Sequence, residues 1–424
     1  MGNHRSRRHV LSAAGLAGIA TLAAATTSSP AFAAAASTDR FIATAAPYGA
    51  TGNGTTNDGP SIQSAISAAS AAGGGLVILP AGTYLVSTQI QIPASVHLVG
   101  VGWNTPGDGV KNGTWILVAN NASLQPLRII GQAAGIHNIA FHNVGQTDPS
   151  TDPFTPANFR EVIRVEGDDA LIQNIFLNNV SRGIQVVQVG RANLQGIYGQ
   201  PLSEGIVFDG CADIVRLHDV HFWPYWSQSP AVKSATQGTG VAIRSLRNDN
   251  PFFSNIFALW YNQGIQFGES TTNPALLNGS TSKFHLSNAD LDACTYGILV
   301  YGRNTSGMMT NVTTQSETTN SGHGLHVRPE ASGCRIQLTN FSSILAGTNG
   351  IRVDGPNCTI VADNLHIQEW DQVGYGFPAF EISNSSSRAI VGGARLFEHS
   401  NSSKPKLSPS ARFSGSATTT GLSQ

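Results

Sequence analysis

The sequence has little charge and very little lysine. Charged residues make up 12% of its 424 residues, the formal net charge is −1, and lysine occurs only at positions 111, 233, 283, 404 and 406. A protein that binds nucleic acid through the phosphates needs a basic patch, so we predict no nucleic-acid partner. Beyond the N-terminal segment, no apolar run is long enough to span a membrane.

Glycine is abundant, at 46 residues, and much of it recurs in one short phrase. The phrase is Gly, an aliphatic residue, any residue and another apolar residue, and it begins at intervals of 22 to 35 residues. The glycines that open it are Gly183, Gly205, Gly240, Gly264, Gly297, Gly324 and Gly350. A short strand that recurs at about this period is typical of the turns of a solenoid.

Asparagine forms a second repeat, in phase with the first. Each member precedes an apolar residue at the start of a strand-like run; the members are Asn138, Asn174, Asn193, Asn255, Asn288, Asn311, Asn340 and Asn364, with Asp219 in the equivalent place. Polar side chains stacked on successive turns can bond to one another and satisfy buried backbone. We therefore predict an all-β chain that forms a single right-handed parallel β-helix.

The first 33 residues have the pattern of a twin-arginine export signal. Arg7 and Arg8 precede an Ala/Gly/Leu-rich run that ends in a small-residue cleavage motif at Ala31-Phe32-Ala33. An uncleaved anchor is the alternative, but the run is short and interrupted by glycine. We expect residues 1–33 to be removed, residues 34–400 to form the β-helix, and the Ser/Thr-rich residues 401–424 to be a flexible tail of a secreted protein that does not associate with membranes.

Two of the four cysteines occupy the same place in consecutive repeats. Cys334 and Cys358 are 24 residues apart, and a strand spacing of about 4.8 Å brings their Cα atoms within disulfide range. An exported protein permits the bond, and a pair of stacked buried thiols is the alternative. The spacing is unlike that of a zinc site.

The segment from Tyr48 to Gly102 contains a predicted helix between turn motifs. Asp58 precedes Pro60 as a helix cap, apolar residues follow at helical spacing, and three glycines from Gly73 end the helix. We predict a short N-terminal capping α-helix that covers the first turn, since an open solenoid end exposes unpaired strand edges. The helix is followed by Leu-Pro-Ala-Gly-Thr-Tyr at residues 79–84.

This segment closely resembles the start of the pectate lyase superfamily of β-helices, which includes relatives of polygalacturonases and phage tailspikes. The resemblance implies an extracellular protein that acts on carbohydrate, by hydrolysis or by β-elimination. It departs from polygalacturonases, because Gly167-Asp168-Asp169 and Gly322-His323-Gly324 lie 155 residues apart, about six turns or roughly 29 Å. These two motifs cannot share a site.

Two long connections indicate where a groove forms. They run from Asp219 to Gly240 and from Gly264 to Asn288, and they flank adjacent strands from opposite edges. Aromatic residues on or beside the first connection offer flat faces for sugar rings, or else pin the loop to the solenoid. They are Trp223, Tyr225, Trp226, Trp260 and Tyr261.

Strand alternation predicts which side chains reach this groove. Asp209 and Glu269 are placed on either side of Arg244, two turns or roughly 9.6 Å apart, which suits the carboxylates of an inverting glycosidase. A structural salt-bridge ladder through Arg244 is the alternative. Asp290 and Asp292 form a second pair about 6.6 Å apart on one strand face, able to share a water or a calcium ion unless they are merely solvated.

The leading hypothesis is an endo-acting, inverting glycoside hydrolase for a neutral or weakly charged polysaccharide or oligosaccharide. The catalytic candidates are Asp209, Glu269, Asp292 and Glu204, and the substrate-binding candidates are Trp223, Tyr225, Trp226, Arg244, Trp260, Tyr261, Gln266, Asp290 and Tyr301. Glu317 is a weaker candidate, and His323 and His326 could act as bases or be inert surface groups.

Three alternatives remain open. A polysaccharide lyase would use Arg244 or a histidine to abstract the proton next to a uronate carboxylate that calcium or arginine neutralises. A fructotransferase-like intramolecular glycosyl transfer is the second, and a non-catalytic adhesive solenoid is the third. We expect no required cofactor and no metal, with Ca²⁺ only in the lyase case, and a monomer or homotrimer.

Overall fold

The computed structural model describes residues 39–106, 109–270, 272, 280–317, 321–397, 411–419 and 422–423, which belong to one compact unit. The helices are α1 (Gly59–Ala71) and α2 (Pro230–Thr239), and the strands are β1 (Arg40–Ile42), β2 (Asn53–Asn57), β3 (Gly75–Ile78), β4 (Gly82–Val86), β5 (Ile90–Ile92), β6 (Val96–Val99), β7 (Thr114–Val118), β8 (Leu127–Ile129), β9 (Gly135–Asn143), β10 (Glu161–Val165), β11 (Leu171–Leu177), β12 (Arg182–Val187), β13 (Asn193–Gly199), β14 (Glu204–Asp209), β15 (Arg216–Phe222), β16 (Val241–Leu246), β17 (Phe252–Leu259), β18 (Gln263–Gly268), β19 (Phe284–Asp292), β20 (Tyr296–Val300), β21 (Ser306–Gln315), β22 (Leu325–Val327), β23 (Arg335–Ile344), β24 (Ile351–Val353), β25 (Thr359–Asp363), β26 (Leu365–Gln368), β27 (Phe380–Ile382), β28 (Arg388–Val391), β29 (Ala394–Phe397), β30 (Ala411–Phe413), β31 (Ser416–Thr419) and β32 (Leu422–Ser423).

These strands form a right-handed parallel β-helix, as the repeats predicted. Each strand pairs in parallel with the strand one turn further on, as β12 does with β14 and β14 with β16. One sheet of the described chain has twelve strands, from β5 to β30, and the other has twenty. Aliphatic residues such as Ile184, Ile206 and Ile243 stack inside and are almost fully buried. The repeat glycine is required because a Cβ at Gly205 would lie 2.3 Å from the carbonyl oxygen of Ala242 on the next turn.

The asparagine ladder marks the place where each long strand of the larger sheet bends. Its members have positive φ, from 52° at Asn364 to 59° at Asn138, a conformation that asparagine tolerates well. Amide hydrogen bonds of 2.7–3.2 Å connect Asn364 through Asn340, Asn311 and Asn288 to Asn255. The bend divides the larger sheet into two faces, so the solenoid has three.

One member of the predicted ladder is wrong. Asn193 opens β13 three residues before the bend, and Gly196, with φ of 67°, takes the ladder position of that turn. Asp219 does occupy the position on the next turn, with φ of 60°. The ladder of amides is therefore interrupted at two consecutive turns.

Helix α1 covers the first turn, as predicted. Its buried side is formed by Ile62, Ala65, Ile66 and Ala69, which pack into the core. Asp58 is the N-cap residue, but its carboxylate does not bond to the helix. It accepts hydrogen bonds of 2.7 and 3.1 Å from the backbone N–H groups of Thr51 and Gly52 instead, and so fixes the preceding loop.

The sequence predicts an export signal at the N-terminus and a flexible tail at the C-terminus. The predicted export signal lies outside the described residues. The prediction of a flexible tail is wrong for residues 411–419, because β30 pairs with β27 and β31 pairs with β28 in continuation of both sheets.

No helix in the described part of the chain is long and apolar enough to cross a bilayer. All four cysteines are free and buried, which matches the stacked-thiol alternative for Cys334 and Cys358.

Candidate active site on the arginine face

The outer side of the twelve-stranded sheet carries columns of polar side chains, because the register is kept from turn to turn. We call it the arginine face, after Arg164, Arg182, Arg244, Arg328 and Arg352. One column runs Gln185, Val207, Arg244, Gln266, Leu299, His326 and Arg352. The neighbouring column runs Glu161, Arg182, Glu204, Val241, Gln263 and Tyr296.

Glu204 lies between two arginines on this face. Its carboxylate is 2.6 Å from Nη1 of Arg244 and 3.2 Å from Nε of Arg182. The alternative of a salt-bridge ladder through Arg244 is thus found with a different carboxylate, Glu204 in place of Asp209 and Glu269. Both oxygens of the Glu204 carboxylate are therefore engaged by guanidinium groups.

Three polar atoms beside this ladder are buried without a partner. Nε of Arg244, Oε1 of Gln263 and Oε1 of Gln266 are inaccessible to solvent and make no hydrogen bond within the described chain. They lie on the neighbouring strands β16 and β18. Each unsatisfied buried group costs about 1–3 kcal/mol, and a polar ligand would offset that cost.

His326 and Asp354 form a buried pair further along the same face. Nε2 of His326 is 2.9 Å from Oδ2 of Asp354, and that carboxylate also accepts from Nε of Arg352 at 2.8 Å and from Oγ of Ser383 at 2.5 Å. Burial alone would raise the pKa of Asp354, but these hydrogen bonds lower it well below its usual range. Asp354 is therefore ionised at neutral pH and holds the proton of His326 on Nε2.

The other nitrogen of His326 is left as a base. Nδ1 is buried and has no hydrogen-bond partner among the residues that the structure describes. Burial lowers the pKa of His326, although the charge of Asp354 opposes this. A neutral imidazole with one nitrogen fixed by a carboxylate and the other unoccupied is suited to accept a proton.

A second histidine and Tyr296 lie beside this base, and the ring of Tyr296 is stacked 6.4 Å from that of His326. The ring of His323 is 4.4 Å from that of His326 between centroids, and its Nδ1 is 2.7 Å from Oγ1 of Thr348. Burial lowers the pKa of His323 strongly. The guanidinium of Arg328 lies 5.3 Å from the ring centroid of Tyr301, whose pKa is raised by burial despite that charge. Tyr301 is therefore a protonated phenol.

The expected carboxylate pair is absent from this face, because the strand register differs from the register obtained by counting residues from each repeat glycine. Val241 pairs with Glu204, so Ala242 takes the place that Gly240 was predicted to hold, and Arg244 aligns with Gln266. The helix α2 in the preceding connection displaces the count by two residues. The predicted arrangement of Asp209 and Glu269 around Arg244 is therefore wrong.

The two carboxylates themselves lie elsewhere. Asp209 is fully buried, and the residues that pair with it on the adjacent strands, Val187 and Leu246, are also buried. Glu269 directly follows the last residue of β18, and its carboxylate binds Arg303 through two contacts of 2.5 and 2.9 Å. These two carboxylates do not form a common site.

The aromatic residues of the first long connection have separate positions. Tyr261 is buried and its hydroxyl donates to the carbonyl oxygen of Pro201 at 2.8 Å, so the prediction that it contacts substrate is wrong. Trp226 packs against Phe154, with ring centroids 5.9 Å apart, and acts as a loop staple. Trp260 lies under Nζ of Lys233 at 4.8 Å. The ring of Tyr225 lies 5.4 Å from that of Phe176, and the ring of Trp223 lies 6.4 Å from that of His221.

Asp290 and Asp292 project from β19 beyond its bend and do not lie on the arginine face. Burial and the charge of Asp292 raise the pKa of Asp290, and burial and the charge of Glu317 raise that of Asp292. Glu317 itself pairs with Lys233 at 2.5 Å.

The arginine face does not suit the calcium ion that the lyase alternative allowed. Calcium requires several oxygen ligands, and the carboxylates of Glu204 and Asp354 are already bonded to arginines. No group of three or more His, Cys, Asp and Glu side chains in the described residues is arranged to hold a metal ion.

Sequence analysis undervalued the most distinctive pair of this face. His326 was only one of two possible bases, and Asp354 was not among the candidates. The signal that could have found them is that His326 is the second residue and Asp354 the fourth after repeat glycines on consecutive turns. Such positions lie about 4.8 Å apart across the sheet and one side-chain step along it.

These features define a parallel β-helix with a polar outer face on which several buried polar atoms have no hydrogen-bond partner within the described residues. A family model described as rhamnogalacturonase A/epimerase, pectate lyase-like, matches residues 44–266, which is more than half of the chain. The chain therefore belongs to this carbohydrate-active, pectate lyase-like family, and the resemblance of its N-terminal segment is confirmed.

Individual relatives match over limited lengths or only in fold. The mannuronan C5-epimerase AlgE1 of Azotobacter vinelandii is 36% identical over 105 residues, which are 25% of this chain and 7% of that protein. The DFA-IIIase of Arthrobacter chlorophenolicus A6 superposes with a TM-score of 0.53 at 12% identity, covering 88% of this chain and 86% of the enzyme. A double mutant of the tailspike of E. coli bacteriophage HK620 gives 0.54 at 11% identity, covering 89% and 78%. The two structures share the fold.

Proposed function

We propose that this protein is an exported enzyme that modifies a uronate-containing polysaccharide by removing the proton next to the uronate carboxylate. The observation that carries the proposal is that Nδ1 of His326 has no hydrogen-bond partner among the described residues, while Asp354 binds its Nε2 on a face rich in arginine. The membership in a family described by epimerase activity supports it, as does local similarity to an epimerase for mannuronan, which is a polyuronate. The chain matches only a small part of those epimerases.

The proposed reaction begins with removal of the proton from C5, and the step that follows determines the product. Nδ1 of His326 takes the proton from C5, and the electron pair moves into the carboxylate, whose growing charge Arg328 neutralises. If Tyr301 returns a proton to the opposite side of C5, the product is the epimer. If the bond from C4 to the glycosidic oxygen breaks instead, the leaving oxygen takes a proton and a C4=C5 double bond remains, which is β-elimination.

Hydrolysis is the second candidate, and a different observation favours it. Asp290 and Asp292 are alternate residues of one strand, about 6.6 Å apart, and the raised pKa of each suits a general acid. An inverting hydrolase places its carboxylates about 6.5–9.5 Å apart. This pair would act on the face beyond the bend and would require a neutral glycan.

One experiment separates the two. The mature protein is incubated with polymannuronate, polygalacturonate and neutral polysaccharides in D₂O, while unsaturated uronate absorbance, reducing ends and deuterium at C5 are followed. We expect deuterium or absorbance with a polyuronate, and a loss of at least about a hundredfold in His326→Gln and Asp354→Asn. His285→Gln, on another face, is the matched control.

The opposite pattern would support hydrolysis. Reducing ends without absorbance or deuterium, lost in Asp290→Asn or Asp292→Asn and kept in His326→Gln, would replace the proposal. Binding without any product would favour the adhesive solenoid.

A further inference from the structure

A second groove, of about 530 Å³, lies on the face formed by the strands beyond their bend. We call it the aromatic groove and define it by Tyr198, Asp219, His221, Phe257 and Asp290, which all line it. These residues come from four consecutive strands, β13, β15, β17 and β19. None of them belongs to the arginine face.

The groove forms where the asparagine ladder is interrupted. Gly196 supplies no side chain and Asp219 supplies a carboxylate, where neighbouring turns have an amide. Oδ2 of Asp219 accepts a hydrogen bond of 2.8 Å from the hydroxyl of Tyr198. An amide at position 219 would have no side-chain acceptor on the preceding turn, because Gly196 takes the ladder position there. What the carboxylate adds is a fixed acceptor at the floor of a groove.

Aromatic rings stand around this acceptor. The ring of His221 is 5.1 Å from that of Phe257 and perpendicular to it, at 89°. Trp223 lies 6.2 Å from Phe257 at an interplanar angle of 31°, and 39% of its surface is exposed. Flat faces beside a hydrogen-bond acceptor match the CH face and the hydroxyl edge of a sugar ring.

The charge of the groove selects among sugars. Its lining contains two carboxylates, Asp219 and Asp290, and no lysine or arginine among the described residues. An anionic uronate would be repelled here, whereas hydroxyl groups would donate to both acids.

We infer that the aromatic groove is a second carbohydrate-binding site, specific for neutral sugar residues and separate from the arginine face. The enzyme would then hold a neutral stretch or side branch of a glycan on one face while the arginine face contacts a uronate. The inference does not depend on the reaction proposed for His326.

The test measures binding of neutral glucan, mannan, galactan and xylan hexasaccharides to the full-length mature protein by calorimetry and tryptophan fluorescence. We expect at least one to bind and to change Trp223 fluorescence. Asp219→Asn should weaken that binding at least tenfold, because it removes the charged acceptor. This variant restores the ladder residue of the other turns, so it should keep the melting temperature and the activity on polyuronate. Phe257→Ala should also weaken binding.

Asp249→Asn, on an exposed carboxylate that pairs with Lys283, is the matched control and should bind normally. His326→Gln should bind the neutral hexasaccharide as the wild type does, which separates this inference from the proposed reaction. The inference is overturned if no neutral hexasaccharide binds, or if Asp219→Asn and Phe257→Ala bind it unchanged. It is equally overturned if His326→Gln abolishes binding.

Discussion

At the scale of single residues, the candidate site depends on which groups are charged. Asp354 is ionised because three donors surround it, while His323 and His326 are neutral because they are buried. On the same face, Asp354 is thus charged whereas the two histidines are neutral. The difference arises from partners, since each carboxylate oxygen of Asp354 is bonded and Nδ1 of His326 is not.

The two histidines should make stability depend on pH. Their pKa values are lowered in the folded protein from about 6.5 when unfolded, so protons bind the unfolded chain preferentially as the pH falls below that value. We expect the melting temperature to be constant above pH 7 and to decrease towards pH 5. The decrease should be smaller in His323→Gln. Melting curves of both proteins at pH 7.5 and 5.0 check this, and identical decreases would contradict it.

At the scale of elements, the bend in each long strand is the feature that repeats most faithfully. Asparagine suits it for two reasons, because it tolerates positive φ and because its amide both donates and accepts along the stack. The inserted helix α2 and the cap α1 are the exceptions to the repeat. The first alters the register of the strand that follows it, and the second closes the core.

The ladder should contribute measurably to stability. Asn340 donates to Asn311 at 2.8 Å and accepts from Asn364 at 2.7 Å. Asn340→Ala should lower the free energy of unfolding by about 2–4 kcal/mol, from two lost hydrogen bonds and an unfavourable left-handed alanine. Asn340→Gly loses the bonds without the strain and should cost less. Urea denaturation of both variants measures the difference, and equal costs would show that the strain is negligible.

At the scale of the whole molecule, the solenoid presents chemically different faces. The arginine face carries guanidinium groups and a buried base, and the aromatic groove carries carboxylates and rings. Long parallel stacking makes this separation possible, because an outward position keeps the same direction through many turns. A net charge of −1 over 424 residues therefore conceals faces of different composition, one with arginines paired to carboxylates and one with carboxylates and rings but no lysine or arginine in its described lining.

The proposed export concerns the whole chain and rests on the N-terminal sequence. We expect Arg7 and Arg8 to direct transport of the folded protein, so replacement of both by lysine should leave the precursor in the cytoplasm. Fractionation and immunoblotting of the producing cell check this, with replacement of His9 by alanine as control. Normal secretion of the double variant would contradict a twin-arginine signal.

The sequence by itself determined the fold, because most turns repeat the same solution: a glycine where a Cβ would clash, alternating apolar residues inside, and an asparagine at the bend. It also indicated the family through the N-terminal segment. The tertiary structure alone decided the register after α2, which moved Arg244 away from Asp209, and the pairing of His326 with Asp354 on consecutive turns. It also decided the order of residues 411–419, because backbone pairing with the preceding turn stabilises strands whose composition is that of a loop. Counting along the chain cannot supply these facts, since an insertion between strands changes the count without changing the stack.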